Sequence, residues 1–351
     1  MPDTIYLHAG PHKTGSTALQ KALVESGPAL AAKGLIYPRQ GMSDFGHHQI
    51  VNAARGWTTE FDAAALAAEC DGARGVILSS ENVVHLTPSQ LAAMKEMLPG
   101  GEVRVVYYLR RLADLWPSHW QELIKHGHWM SFWEYVSMAT FALQSRRNIA
   151  IDQLQQIAQL ASVFGRENVT ILGYDALAGE KRDLAAHFLT EIAGVGDWPA
   201  QDGGQRVNAS NPGWVTELVR AVNAVHRDET GTMATFTLRQ EVLGRLRSQD
   251  DTFPMAEAFT EMVETLSRPV VIEGDGAVTR FLQRRLINQF GDRIGGDAEA
   301  ARAAYMAGTT RSVQVFDMPL VGAGPEAIRV ALRDWYLSFP EDARRGTPLR
   351  Y

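Results

Sequence analysis

The chain has 351 residues, 45% of them hydrophobic, and a formal net charge of −6. That is ordinary globular composition with ample chain for a large core, and its mildly acidic balance excludes a nucleic-acid or membrane-surface binder held by overall charge. One cysteine, Cys70, excludes an intramolecular disulfide framework and a cysteine-based zinc site, and fits a reducing compartment.

The N-terminal stretch MPDTIYLHAG has no basic segment followed by a long apolar run. No stretch approaches about 18 uninterrupted apolar residues, so the expectation is a cytoplasmic protein without a membrane span. Residues 4–9 (TIYLHA) form a β-branched, apolar run ending at Gly10. Helical spacing follows over 16–33, and a second extended piece begins at 35–37. Further apolar runs of strand character lie at 75–79 (GVILS), 103–109 (VRVVYYL) and 168–174 (NVTILGY). Helical stretches at 63–70, 88–97, 113–126 and 149–164 separate them, with Pro117 early in its helix or kinking it.

Strands alternating with helices predict an α/β fold with a parallel sheet and right-handed crossovers. Beyond residue 212 the pattern turns helical: 215–227, 238–249, 253–266 and 277–290. The expected organisation is an α/β core over 1–212 and a helical C-terminal region over 213–351, an acceptor cap or self-association surface.

Ligands in such sheets bind beyond the carboxyl ends of the strands, which singles out HAGPHKTGSTALQ, VILSSEN and LRRLADLWPS. The first is a glycine-rich loop opening a helix. Gly10 and Gly15 stand five apart, as in the nucleotide-triphosphate pattern G-x-x-x-x-G-K-[ST], but here Ser16 follows the second glycine and the lysine comes earlier, at Lys13. Strand, glycine loop and helix together form an anion site of backbone N–H groups and helix dipole. Lys13 adds charge, and Ser16 and Thr17 add hydroxyls. A nucleotide triphosphatase also needs an aspartate for Mg²⁺ after a second strand. VILSSE ends instead in Glu81, and VRVVYYLRR in arginines, which suit an anion.

HAGPHKTGSTALQ resembles the 5′-phosphosulfate loop of bacterial sulfotransferases that use 3′-phosphoadenosine-5′-phosphosulfate (PAPS). LRRLADLWPS is similar to that family's second motif, in which an arginine at a strand end and a serine eight residues later hold the 3′-phosphate. Arg110 and Ser118 have that spacing. The resemblance runs in order of elements over residues 4–212 and includes FGRENVTILGYDAL. It implies a P-loop-like core and PAPS as co-substrate, with the desulfated 3′,5′-bisphosphate as product and no metal. It also implies a small-molecule or glycan acceptor. The expected nucleotide contacts are Gly10, His12, Lys13, Thr14, Gly15, Ser16, Thr17, Arg110 and Ser118, joined by Arg206 and Asn208 from RVNAS. For the base that takes the acceptor's proton, Glu81 is the first choice, with burial expected to raise its pKa. His47 and His48 are the second choice, one of them expected to be structural. A Mg·ATP-dependent kinase or ATPase and a non-catalytic nucleotide-binding protein remain the alternatives.

Overall fold

The computed structural model describes residues 1–144, 152–196, 198, 213–248, 253–316 and 326–347. They form two compact units. The first comprises Met1–Leu115, Arg146–Val207 and Glu273–Thr309; the second comprises Trp116–Ser145, Asn208–Ile272 and Thr310–Tyr351. The first unit takes in 273–309 from the C-terminal part, and the second takes in 116–145.

The first unit is built on a five-stranded sheet. Its strands are β1 (Thr4–His8), β2 (Leu35–Ile36), β3 (Gly75–Ser79), β4 (Glu102–Leu109) and β5 (Val169–Gly173), in the order β2-β3-β1-β4-β5. Every pairing is parallel, and the register sets His8 beside both Ser79 and Val106. Both sheet faces are covered, so the strands read as near-continuous apolar runs. On one face Tyr6, Ile77, Val106, Tyr108 and Leu172 pack with Leu19 and Leu23 of the Ser16–Glu25 helix and with Phe188 and Leu189. On the other, Ile5, Leu7, Leu78, Val105, Tyr107 and Ile171 pack with helices at His48–Ala54, Pro88–Glu96, Gln153–Phe164 and Ala277–Phe290. The buried tyrosines satisfy their hydroxyls inside this core: Tyr107 donates to Gln156 Oε1 at 2.6 Å, and Tyr108 meets His187 Nδ1 at 3.4 Å.

With right-handed crossovers, the connection leaving β1 and the one leaving β4 run to opposite sides. The crevice between these two neighbouring strand ends is therefore the topological switch point, where α/β sheets of this kind take ligands. The strand runs read from sequence recur within a residue or so. The helical pattern over 16–33 does not persist as one helix. It breaks at Ser26, and a separate short helix, Gly27–Ala31, begins with Pro28 in its first turn. Pro28 lacks the N–H that a continuous helix would need there.

In the second unit, Pro117 lies inside the helix Leu112–Lys125, which starts in the first unit. The helix Gly213–Thr230 buries a polar stripe. Arg220 pairs with Glu217 at 2.6 Å and donates to the carbonyls of Trp129 and Phe316, while Asn223 donates to those of Ile124 and His128. A two-stranded antiparallel ribbon, β6 (Arg268–Ile272) with β7 (Arg311–Val315), interrupts the helical pattern expected for this part. Among the described residues, no helix is long and apolar enough to cross a membrane.

Candidate functional site

The loop after β1 is shaped by three residues in the left-handed region: Gly10 (φ 91), Lys13 (φ 70) and Gly15 (φ 79). Lys13 pays a steric cost of roughly 1–2 kcal/mol that glycine would avoid. Its retention there means the loop keeps a lysine in a conformation that favours glycine. Backbone bonds tie the loop to both flanking strands: Ala9 N–H donates to Val106 O, Tyr108 N–H to Gly10 O, and Ser80 N–H to His8 O. Thr14 is fully buried, and its hydroxyl donates to Pro11 O at 2.7 Å. That hydroxyl is thus spent on the turn. Ser16 is buried and Thr17 exposed in the first turn of the Ser16–Glu25 helix. Gly15 gives this helix no side-chain cap, and its first turn holds no acidic residue. Its amide groups keep the positive character that draws an anion.

A Cβ placed on Gly10 would lie 3.1 Å from Glu81 Cα and 3.2 Å from Glu81 O. The loop therefore rests directly on the chain leaving β3. Gly10→Ala is expected to cost about 2–3 kcal/mol, from the positive φ and the backbone clash together. Urea unfolding measures this, and stability within about 0.5 kcal/mol of wild type would contradict the packing described.

Glu81 opens a 3₁₀ turn, Glu81–His85, after β3. Ser80 caps the turn by accepting from the Asn82 amide at 3.3 Å. Gln20, on the buried face of the Ser16–Glu25 helix, donates to Glu81 Oε2 at 2.8 Å. Burial pushes the Glu81 carboxyl up, as expected from sequence, but the sum goes the other way. The His12 and His48 imidazoles, its own amide and Gln20 together hold it below the usual glutamate value. Glu81 is accordingly a carboxylate at neutral pH.

The two histidines after β2 separate clearly. His47 is 2% exposed, and both its ring nitrogens are engaged. Nδ1 accepts from Ser79 N–H at 3.1 Å, and Nε2 faces Pro38 O at 2.8 Å, which assigns it the proton. Burial drives its pKa down to about 4. This neutral ring splints the β2 and β3 ends. His48 is half-buried, and its Nδ1 meets Ser80 Oγ at 2.8 Å and Asn82 Nδ2 at 3.3 Å. His12, half-buried in the loop, lies with its ring 5.2 Å from that of His85.

The third strand end brings in Arg110. Gln153 clamps its backbone from both sides, accepting from Arg110 N–H at 3.0 Å and donating to Arg110 O at 2.7 Å. The guanidinium donates to the Lys13 carbonyl and sits 5.5 Å from the Tyr174 ring centroid. Arg111 faces the other way. Its Nε pairs with Asp114 at 2.8 Å and Asp175 at 3.5 Å, and its N–H donates to Asp175 Oδ2 at 2.6 Å. Two acidic neighbours thus occupy the second arginine of the pair, and Arg110 is the one directed to the loop.

Of the residues singled out from sequence, the loop residues 10–17, Glu81, His47, His48 and Arg110 come together in the first unit. Ser118 lies half-buried on the Leu112–Lys125 helix within the second unit. Arg206 and Asn208 lie outside the described residues. Three polar residues were given no role from sequence, although Gln20 and Ser79 lie in the stretches singled out: Gln20, Ser79 and Gln153, which are 3%, 0% and 2% exposed. Gln20 carried a readable signal, as a polar residue beside Leu19 and Leu23 on the apolar stripe of its helix. Among the described residues, no group of three or more His, Cys, Asp or Glu side chains is arranged to hold a metal ion.

No family model matches the chain, and no curated protein matches it. Among solved structures, a sulfotransferase from Alicyclobacillus acidocaldarius is similar over 59% of this chain and 87% of that one. The identity is 16% and the TM-score 0.37.

Proposed function

We propose that the chain is a PAPS-dependent sulfotransferase acting on a hydroxyl or amine of a saccharide or small metabolite. The observation that carries the reading is the meeting of three chemistries at the carboxyl ends of the inner strands: a lysine-bearing loop, an arginine that touches that loop, and the carboxylate residue Glu81 packed against its first glycine. The loop sequence, with its lysine ahead of the second glycine, supports PAPS as the donor.

In the proposed reaction the acceptor oxygen or nitrogen attacks sulfur in line with the bond to the 5′-phosphate. That S–O bond breaks, and its electron pair stays on the departing phosphate of adenosine 3′,5′-bisphosphate. The acceptor's proton passes to Glu81, which is already ionised. Catalysis is then chiefly positioning and charge stabilisation. Lys13, the loop amides, Ser16 and Thr17 would take up charge on the leaving phosphate. Arg110 would pair with the 3′-phosphate. His48 and His12 flank the carboxylate and keep it charged. A cytoplasmic location belongs to the same proposal, as does a C-terminal region that shapes the acceptor pocket or self-associates.

Arg110→Ala tests the donor assignment. The dissociation constant for adenosine 3′,5′-bisphosphate should rise more than about tenfold, since a charge-assisted contact is lost. Adenosine 5′-phosphate, which lacks the 3′-phosphate, should lose less, since for it only the bond from Arg110 to the Lys13 carbonyl goes. Titration calorimetry reads both, and an equal loss for the two nucleotides would overturn the 3′-phosphate assignment.

A further inference from the structure

We propose that Gln20 is a positioning residue for Glu81, held in one orientation by a buried chain of hydrogen bonds that runs through Ser79 to His8. The inference rests on the reading of Glu81 as the base and assigns that base its support.

The argument starts at His8. It ends β1, is fully buried, and makes edge contacts with the rings of Tyr108 and Phe188, at 5.7 and 6.3 Å between centroids. Burial lowers its pKa to about 4, so at neutral pH the ring carries one proton. Its Nδ1 lies 2.8 Å from Ser79 Oγ. Ser79 Oγ also lies 3.1 Å from Gln20 Nε2. The Glu81 carboxylate can only accept, so the Gln20 atom that faces both Oε2 and Ser79 Oγ is the NH₂ group. Each Gln20 N–H then has one acceptor: Ser79 Oγ, and Glu81 Oε2 at 2.8 Å. The reversed amide would point a carbonyl oxygen at a carboxylate. The carboxylate fixes which face of the amide it meets, and the bond to Ser79, itself tied to His8, holds the amide in that place.

The functional consequence is twofold. One carboxylate oxygen is pinned, which orients the other. A hydrogen bond to the charged form also favours that form. The other groups that feel the Glu81 charge are His12 from the β1 loop, His48 from its helix, His8 at the end of β1 and Tyr37 after β2.

The test is a side-chain ¹³C NMR titration of the full-length protein, with the Glu81 resonance identified by its loss in Glu81→Gln. Gln20→Met keeps length and volume but removes the amide. It should raise the Glu81 midpoint by about one pH unit, the equivalent of one net hydrogen bond. Gln20→Glu, which sets a like charge against the carboxylate, should raise it further. Ser79→Ala, which frees the amide without touching Glu81, should move it the same way by less. A role confined to packing would lower thermal stability and leave the midpoint in place. An unmoved midpoint in folded Gln20→Met, or in Gln20→Glu where that variant alone folds, overturns the inference. If the midpoint moves but Glu81→Gln transfers sulfuryl groups at the wild-type rate, the base assignment itself falls, and the positioning role with it.

Discussion

Lys13→Ala should lower sulfuryl transfer from PAPS by on the order of 10²–10³-fold, the range seen when one preorganised charge-stabilising group is removed. In the proposed reaction, negative charge grows on the oxygen that bridges sulfur and the 5′-phosphate as the S–O bond lengthens. A cation on the loop stabilises that charge more in the transition state than in the bound donor, so its loss should appear mainly in kcat. The loop itself should survive. Its shape is set by Gly10, Gly15, the Thr14–Pro11 bond and the backbone ties to β3 and β4, and Arg110 reaches the Lys13 carbonyl rather than its amine. A labelled donor with an acceptor found by screening supplies the assay. A fall confined to donor KM would move Lys13 from catalysis to binding.

Stability should collapse between about pH 6.5 and pH 4. His8, His47 and His187 are each at most 5% exposed, and in all three burial drives the pKa to about 4. In the unfolded chain a histidine titrates near 6.5. The folded value is the lower one, so the contribution is full above about 6.5 and is lost as pH falls toward 4. Across that window each histidine adds one proton taken up on unfolding, or about 1.4 kcal/mol per pH unit. Three together can remove most of an ordinary stability of about 5–15 kcal/mol. Glu81, held low, extends the loss to more acid pH, whereas Asp152 and Asp175, raised by burial, oppose it. Urea unfolding at pH 7, 6 and 5 should give a steep decline, and a flat midpoint across these pH values would contradict the buried-neutral state of the three rings.

The four principal strands were legible because both faces of the sheet are covered, leaving Gly75–Ser79 and Glu102–Leu109 as short apolar runs bounded by glycine, serine or arginine. The loop after β1 was legible from its glycines and lysine, and Arg110 from its place at a strand end. Other features depend on contacts between distant segments. His47 and His48 are adjacent and chemically identical in the sequence. Only the fold turns one onto Pro38 O and the Ser79 amide, and the other onto Ser80. Burial alone predicted a raised pKa at Glu81, because neither Gln20 nor His12 was expected beside it. Gln153, which fixes Arg110, is 43 residues away from it along the chain. The break at Ser26 was readable in Gly27 and Pro28, but the leucine spacing on either side masked it.

The proposed reaction requires the β1 loop and Arg110 to bind a 3′,5′-bisphosphorylated adenosine without a metal. Thermal unfolding of the wild-type protein with adenosine 3′,5′-bisphosphate in excess EDTA tests it most directly, with Mg·ATP as the parallel sample. A clear rise in Tm is expected with the bisphosphate alone, and a much smaller one with Mg·ATP. Stabilisation by Mg·ATP with none from the bisphosphate would contradict it and point to a kinase or ATPase.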